Sequence, residues 1–162
     1  MTKVIDCRSY NDQLNDPGDL PKIRIVGSPD KVKNSGGSRA IIAPPSDYDK
    51  LMKTVPEGRL ITNDNIKNYL AEKYNADYTC PVSSRKFIVL AAYASDERGV
   101  DETPYWRTLK KDGELNGKYP GGIDKQKRLL EMEGHTIIQK DNRYYVADFE
   151  EKQFQFELRI VK

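Results

Sequence analysis

Residues 103–135 read TPYWRTLKKDGELNGKYPGGIDKQKRLLEMEGH, and this stretch decides the fold. It opens on Pro104-Tyr105-Trp106-Arg107, a turn of one proline, two aromatics and an arginine. Asp112-Gly113 follows, a dipeptide that favours a two-residue hairpin because both positions tolerate positive φ. Tyr119-Pro120-Gly121-Gly122 makes a loop. The spacing of Ile123, Leu129 and Leu130 then predicts a helix with these side chains inside, ended by Gly134. Cations gather along residues 105–128: Arg107, Lys110, Lys111, Lys118, Lys125, Lys127 and Arg128, against only Asp112, Glu114 and Asp124. Such a run is a solvated lysine-rich face or a phosphate-binding one.

Upstream, the pattern is helical. A helix is expected after Pro45, with Ser46 as cap, Asp47 and Asp49 in its first turn, and Tyr48, Leu51, Met52 and Val55 on one apolar face. Pro56-Glu57-Gly58 stops it. Thr62 caps a second helix, whose stripe is Ile66, Tyr69, Leu70 and Tyr74. A third starts near Pro81 and carries Phe87, Leu90, Ala91 and Ala94 at helical spacing. The last two read as a helix-turn-helix, with 82–96 as the reader helix. The hairpin at Asp112-Gly113 would then be its wing.

The flanks are less regular. Residues 1–45 are broken by Pro17, Gly18, Pro21, Gly27, Pro29, Gly36, Gly37, Pro44 and Pro45, and read as an irregular arm with a short strand at 22–26. Residues 135–149 predict a hairpin turning at Asp141-Asn142. In the tail, 150–162, Phe154, Phe156, Leu158 and Ile160 alternate, so a strand is expected there, paired with the Ile23/Ile25 segment.

Composition excludes several classes of chemistry. The chain has 162 residues, enough for one domain with one core. No run approaches the roughly 18 apolar residues of a membrane span, and the N-terminus lacks a secretory signal pattern. A soluble, cytoplasmic protein is the expectation. Cys7 and Cys80 are far apart, and His135 is the single histidine, so a zinc site and a serine–histidine triad are both disfavoured. No metal and no cofactor are expected. Cys80, just before Pro81 at a helix start, is either a packing thiol or an activated one.

The order Pro104-Tyr105-Trp106-Arg107, Asp112-Gly113, Tyr119-Pro120-Gly121-Gly122 and 129–135 resembles the DNA-binding domain of the alkylguanine-DNA alkyltransferases and their alkyltransferase-like relatives. In that family a Pro-Cys-His-Arg loop precedes a hairpin, a Tyr-x-Gly-Gly loop and a helix ending Glu-Gly. The likeness extends upstream through 56–71 and covers about residues 46–138. It implies an α+β fold: a winged helix-turn-helix domain at 46–149, with an added β-hairpin and terminal strands. It also implies a double-stranded DNA partner and recognition of an O-alkylated guanine.

The departures bear on chemistry. The acceptor thiol of the family falls at Tyr105, and a phenol with a pKa near about 10 is a poor acceptor. The family's histidine falls at Trp106, whose indole only donates. No catalytic residue is therefore assigned. Glu133 stands at the family's network carboxylate, without the groups it would orient. The resemblance implies a flipped-base pocket from Tyr105, Trp106, Arg107, Tyr119, Gly121 and Gly122. Tyr105, Trp106 and Tyr119 fit core positions as well as pocket walls. DNA contacts are expected from Ser83, Ser84, Arg85, Lys86, Lys110, Lys111 and Lys118, with Arg85 at the position of the family's inserted arginine. Asn63 replaces the family's aromatic at the start of the first helix of the pair. Lesion binding without repair implies hand-off to a repair protein. The alternatives are an alkyltransferase with an unconventional acceptor, and a winged-helix module that binds protein.

Overall fold

In the computed structural model, which describes residues 8–25 and 38–156, the elements run α1 (Tyr10–Asn15), β1 (Lys22–Ile25), β2 (Arg39–Ile42), α2 (Pro45–Lys53), β3 (Ile61–Thr62), α3 (Asn63–Lys73), β4 (Tyr78–Thr79), α4 (Pro81–Arg98), β5 (Thr108–Leu109), α5 (Gly122–Met132), β6 (Ile137–Lys140) and β7 (Arg143–Val146). Single 3₁₀ turns lie at Tyr105–Arg107, Lys111–Gly113 and Phe149–Lys152. The arrangement is mixed helix and strand, as expected of an α+β chain.

Local chemistry sets the helix ends. At Thr62 the hydroxyl accepts from the Asn65 amide, and the Asn65 side chain accepts from the Thr62 amide at 2.8 Å, a reciprocal capping box for α3. Pro81 sits in the first turn of α4, where its missing N–H costs nothing, and Gly99 ends that helix at φ 67. Helix α2 starts two residues earlier than expected. Its cap is Pro44, with no side-chain bond, and Ser46 lies inside the first turn.

Two apolar clusters hold these elements. The larger joins Leu14, Ile41, Tyr48, Met52, Ile66, Leu70, Ile88 and Ala91 from α1, β2 and α2 to α4. The smaller is Leu60, Leu109, Leu115, Leu130 and Val146. Trp106 packs against both and ties them together. Each of these leucines is essentially sealed from solvent, which is worth about 1.5–3 kcal/mol per side chain.

Several expectations change. The short strand expected at 22–26 forms as β1, but the rest of the segment read as an irregular arm also joins the body of the fold, as α1 and β2. Leu14, Ala40, Ile41 and Ala43 are buried, and the sheet order is β1-β2-β4, with β1 antiparallel to β2 and β2 parallel to β4. Four-residue strands paired over long range leave little local periodicity to read. The partner of Ile23 and Ile25 is therefore β2, not the tail. In the tail, Gln153 bridges Leu60 in parallel and Phe156 meets the Tyr69 ring edge-on. The rest of the expected strand, 157–160, lies outside the described residues.

Asp112 and Gly113 make a tight turn at φ 64 and 84, but no regular two-stranded hairpin flanks it. β5 pairs in parallel with β3 instead, and Glu114 and Leu115 pair with Tyr145 and Tyr144 of β7. The regular hairpin is β6–β7, turning through Asp141 at φ 56, as read from the sequence.

Candidate functional site

The turn at 105–107 is clamped from both sides. Upstream, the Thr103 amide donates to Ser95 Oγ of α4 at 2.8 Å, and its hydroxyl donates to Asp49 at 2.5 Å. Downstream, Gln126 of α5 is fully buried, donates to the Trp106 carbonyl at 3.2 Å and accepts from the Asn116 amide at 2.7 Å. One side chain therefore links the aromatic turn to the loop at 116–119.

Glu133 completes the clamp. It accepts from Trp106 Nε1 at 2.6 Å, from Arg107 Nε and Nη2 at 3.0 and 2.9 Å, and from the Gly58 amide at 3.1 Å. Arg107 Nη1 also donates to the Val55 carbonyl at 2.7 Å. Burial alone would raise the Glu133 pKa, but Arg107, Trp106 and Gly58 outweigh it and hold the carboxyl below its ordinary value. Glu133 therefore does have groups to orient in this chain: an indole and a guanidinium.

This geometry removes most of the expected flipped-base pocket. Tyr105 and Tyr119 are 3% and 1% exposed. Their rings pack edge-on at 5.2 Å between centroids, and Tyr105 meets Trp106 the same way at 5.4 Å. Tyr119 donates to the Thr108 carbonyl at 2.9 Å, and burial pushes its phenol pKa far up. Arg107 is bound to Glu133 and Val55. Gly121 and Gly122 take φ 80 and 67 to turn the chain into α5, and a Cβ on Gly121 would stand 2.5 Å from the Lys125 side chain. These six residues form the packed support of the site rather than its cavity.

The Tyr105 hydroxyl is buried with no partner of hydrogen-bond geometry. Burial raises its pKa, and the nearby Lys125 ammonium only partly opposes that. Trp106 spends its one N–H on Glu133. Neither side chain at the expected acceptor and base positions is activated.

The open site lies beside this support. A cleft of about 450 Å³ is lined by Asn63, Val82, Arg85, Lys86, Val89, Lys110, Asn116 and Lys118. Val82, Arg85, Lys86 and Val89 fall at i, i+3, i+4 and i+7, so they share one face of α4. Asn63 is the first residue of α3, and Lys110, Asn116 and Lys118 come from the loop that Gln126 fixes. No carboxylate lines the cleft. Lys110 pairs with partly buried Glu114 at 3.4 Å. Among the described residues, Arg85, Lys86 and Lys118 have no acidic partner. The Asn63 Oδ1 is buried without a hydrogen bond.

Of the expected DNA contacts, the structure gathers Arg85, Lys86, Lys110 and Lys118 around the cleft. Lys111 is exposed on the adjoining turn. Ser83 faces the Cys80 sulfur at 3.5 Å. Ser84 is a correction: it is 1% exposed and shares a 2.8 Å hydrogen bond with the buried Tyr48 hydroxyl, so it belongs to the core. Sequence reasoning missed Val82, Val89 and Asn116 as cleft residues, and Gln126 as a clamp. The signal for the valines was available in their seven-residue separation astride Arg85 and Lys86.

Cys80 is a free, partly buried thiol. Burial raises its pKa, but Ser83, the Val82 amide and Arg24 together bring it below the ordinary value. His135 is buried, its Nε2 unpartnered and its pKa lowered, chiefly by burial. Among the described residues, no group of three His, Cys, Asp or Glu side chains is placed to hold a metal.

No known family's sequence profile matches this chain, and no curated protein matches it by sequence. Two solved structures are similar in fold. One is S. pombe Atl1 in complex with damaged DNA containing O6-carboxymethylguanine, at 19% identity and a TM-score of 0.48. The other is S. pombe ATL in complex with DNA, at 19% identity and a TM-score of 0.53. Each likeness covers 68% of this chain and 94% of the other. At that identity the second likeness establishes architecture alone: the chain has the fold of S. pombe ATL.

Proposed function

We propose that this protein binds double-stranded DNA through the α4 cleft, as an alkyltransferase-like protein without alkyl-transfer chemistry. The observation that carries this reading is the lining of the cleft. Three cations with no acidic partner among the described residues, a fourth at its rim, two amides and the two valines Val82 and Val89 surround a volume of about 450 Å³. Guanidinium and ammonium groups suit phosphate oxygens. Amides and apolar side chains suit the edge and face of one nucleobase. The fold likeness supports the same reading, because the similar S. pombe protein is described in complex with DNA.

In this proposal α4 is the reader helix. Arg85 reaches into or along the duplex, and Lys86, Lys110 and Lys118 hold the backbone. A base bearing an O-alkyl group would enter between Asn63, Val89 and Asn116, not between Tyr105 and Tyr119. Alkyl transfer is disfavoured because Tyr105 is a buried phenol of raised pKa and Trp106 cannot accept a proton. A protein that binds damage without removing it would serve by presenting it to a repair factor.

The test is a binding titration on one duplex with and without a single O-alkylated guanine, followed by intact-protein mass measurement. Preference for the modified duplex with unchanged protein mass supports lesion binding without transfer. Equal binding reduces the reading to general DNA binding, and a mass increase of one alkyl group overturns the non-catalytic part.

A further inference from the structure

We infer that β1 is a second backbone-contacting element: Lys22 and Arg24 extend the cationic surface of the α4 cleft and take DNA phosphates beyond the reader helix. This rests on the DNA-binding reading above. It concerns a part of the chain outside residues 46–138, where the sequence resemblance lies.

The register places β1 beside the start of α4. Arg24 stands opposite Ala40, and Ala40 stands opposite Tyr78 in the adjoining strand. Two strand spacings, about 10 Å, therefore separate Arg24 from Tyr78. Tyr78 is followed closely by Cys80, whose amide donates to the Ile41 carbonyl at 2.9 Å. That bond fastens the first residue before α4 to the same sheet. The sheet and the start of the reader helix are thus joined at Cys80.

Alternation along the strand separates two faces. Ile23 packs on the main core, while Lys22 and Arg24 point to the other face and are exposed. Arg24 has no acidic partner among the described residues. Among the described residues, Lys22 pairs only with exposed Asp19, at 3.3 Å. Arg39 pairs with Ile25, so it belongs to the opposite face, and Asp77 accepts from its amide at that end of the sheet. The field of Arg24 reaches the Cys80 sulfur, where it helps to favour the thiolate. A cation that stabilises negative charge at the foot of α4 is placed to stabilise a phosphate there.

The experiment compares four proteins on one unmodified duplex by fluorescence anisotropy, between about 50 and 200 mM salt. They are the wild type, the double variant Lys22→Gln/Arg24→Gln, Arg39→Gln and Arg85→Gln. Each phosphate contact contributes about 0.9 to the slope of log affinity against log salt. The double variant should lose about 1.8 of that slope, so the wild type weakens about twelvefold more than the variant across this range. Arg39→Gln should match the wild type, since its charge lies on the other face. A double variant with wild-type slope, or an Arg39→Gln loss as large per charge, overturns the inference. If Arg85→Gln lowers the slope while the β1 variant does not, only this inference falls. If the wild type does not bind, the DNA-binding reading falls and takes this one with it. Thermal unfolding of each variant confirms that the fold is intact.

Discussion

Glu133→Ala should destabilise the protein more than any other single change in the support of the site. The Glu133 and Arg107 side chains are only 7% and 14% exposed. Removing the carboxylate leaves the guanidinium with the Val55 carbonyl, at 2.7 Å, as its one remaining acceptor among the described residues. It also strands the Trp106 indole N–H and the Gly58 amide. Breaking one partner of a buried pair costs about 3–5 kcal/mol, and the residual exposure of Arg107 moves the expectation to about 3 kcal/mol. For a chain of this length that is a fall in Tm of about 6–12 °C. Urea denaturation should show the loss at unchanged m-value, and a double-mutant cycle with Arg107→Met should return most of it as coupling. Because the Glu133 carboxyl is held below its ordinary value, its contribution is full at neutral pH. It is lost as pH falls through the folded-state pKa, so wild type and variant should converge in acid. A loss under about 1 kcal/mol at neutral pH, or a coupling near zero, would refute the claim that this network locks the 105–107 turn.

Ser84→Ala should cost about 1–3 kcal/mol in denaturant, because it strands the buried Tyr48 hydroxyl, whose pKa is already pushed up to about 12 by burial. The same variant should keep the wild-type salt slope on DNA, and a reduced slope would return Ser84 to the interface. Burial lowers the His135 pKa, so stability is full above its unfolded value near about 6.5 and declines as pH falls below it. His135→Gln should flatten that decline between about pH 7.5 and 5, and an unchanged profile would assign the decline to another group. Gly121→Ala forces a side chain into φ 80 against Lys125 and should cost about 1–2 kcal/mol. A neutral result there would mean that the turn into α5 relaxes freely.

The elements legible in the sequence are those written in local chemistry. Thr62 announced α3 because its cap depends on residues three apart, and Pro81 and Gly99 bracket α4 for the same reason. Asp141-Asn142 turned as read. What escaped is long-range. Nothing near Lys22 or Arg39 says that two four-residue strands separated by a glycine-rich stretch will pair with each other and with Tyr78. The Arg107–Glu133 pair joins residues far apart in the chain, so Arg107 read as a free cation. Tyr105 and Tyr119 show a different limit. An aromatic side chain serves equally as pocket wall or filler, and only the edge-on packing of the three rings decides for filler. Ser84 misled because a small hydroxyl enters a core at little cost once Tyr48 supplies its hydrogen bond.

The most direct test of the central claim is the salt dependence of duplex binding by a cleft-neutralised protein, Arg85→Gln/Lys86→Gln/Lys110→Gln/Lys118→Gln. If these four side chains hold the backbone, the slope of log affinity against log salt should fall by about 3.6 relative to wild type, with Tm little changed because all four are exposed. A slope that stays at the wild-type value would contradict the account and move the DNA, if it is bound at all, to another face of the molecule.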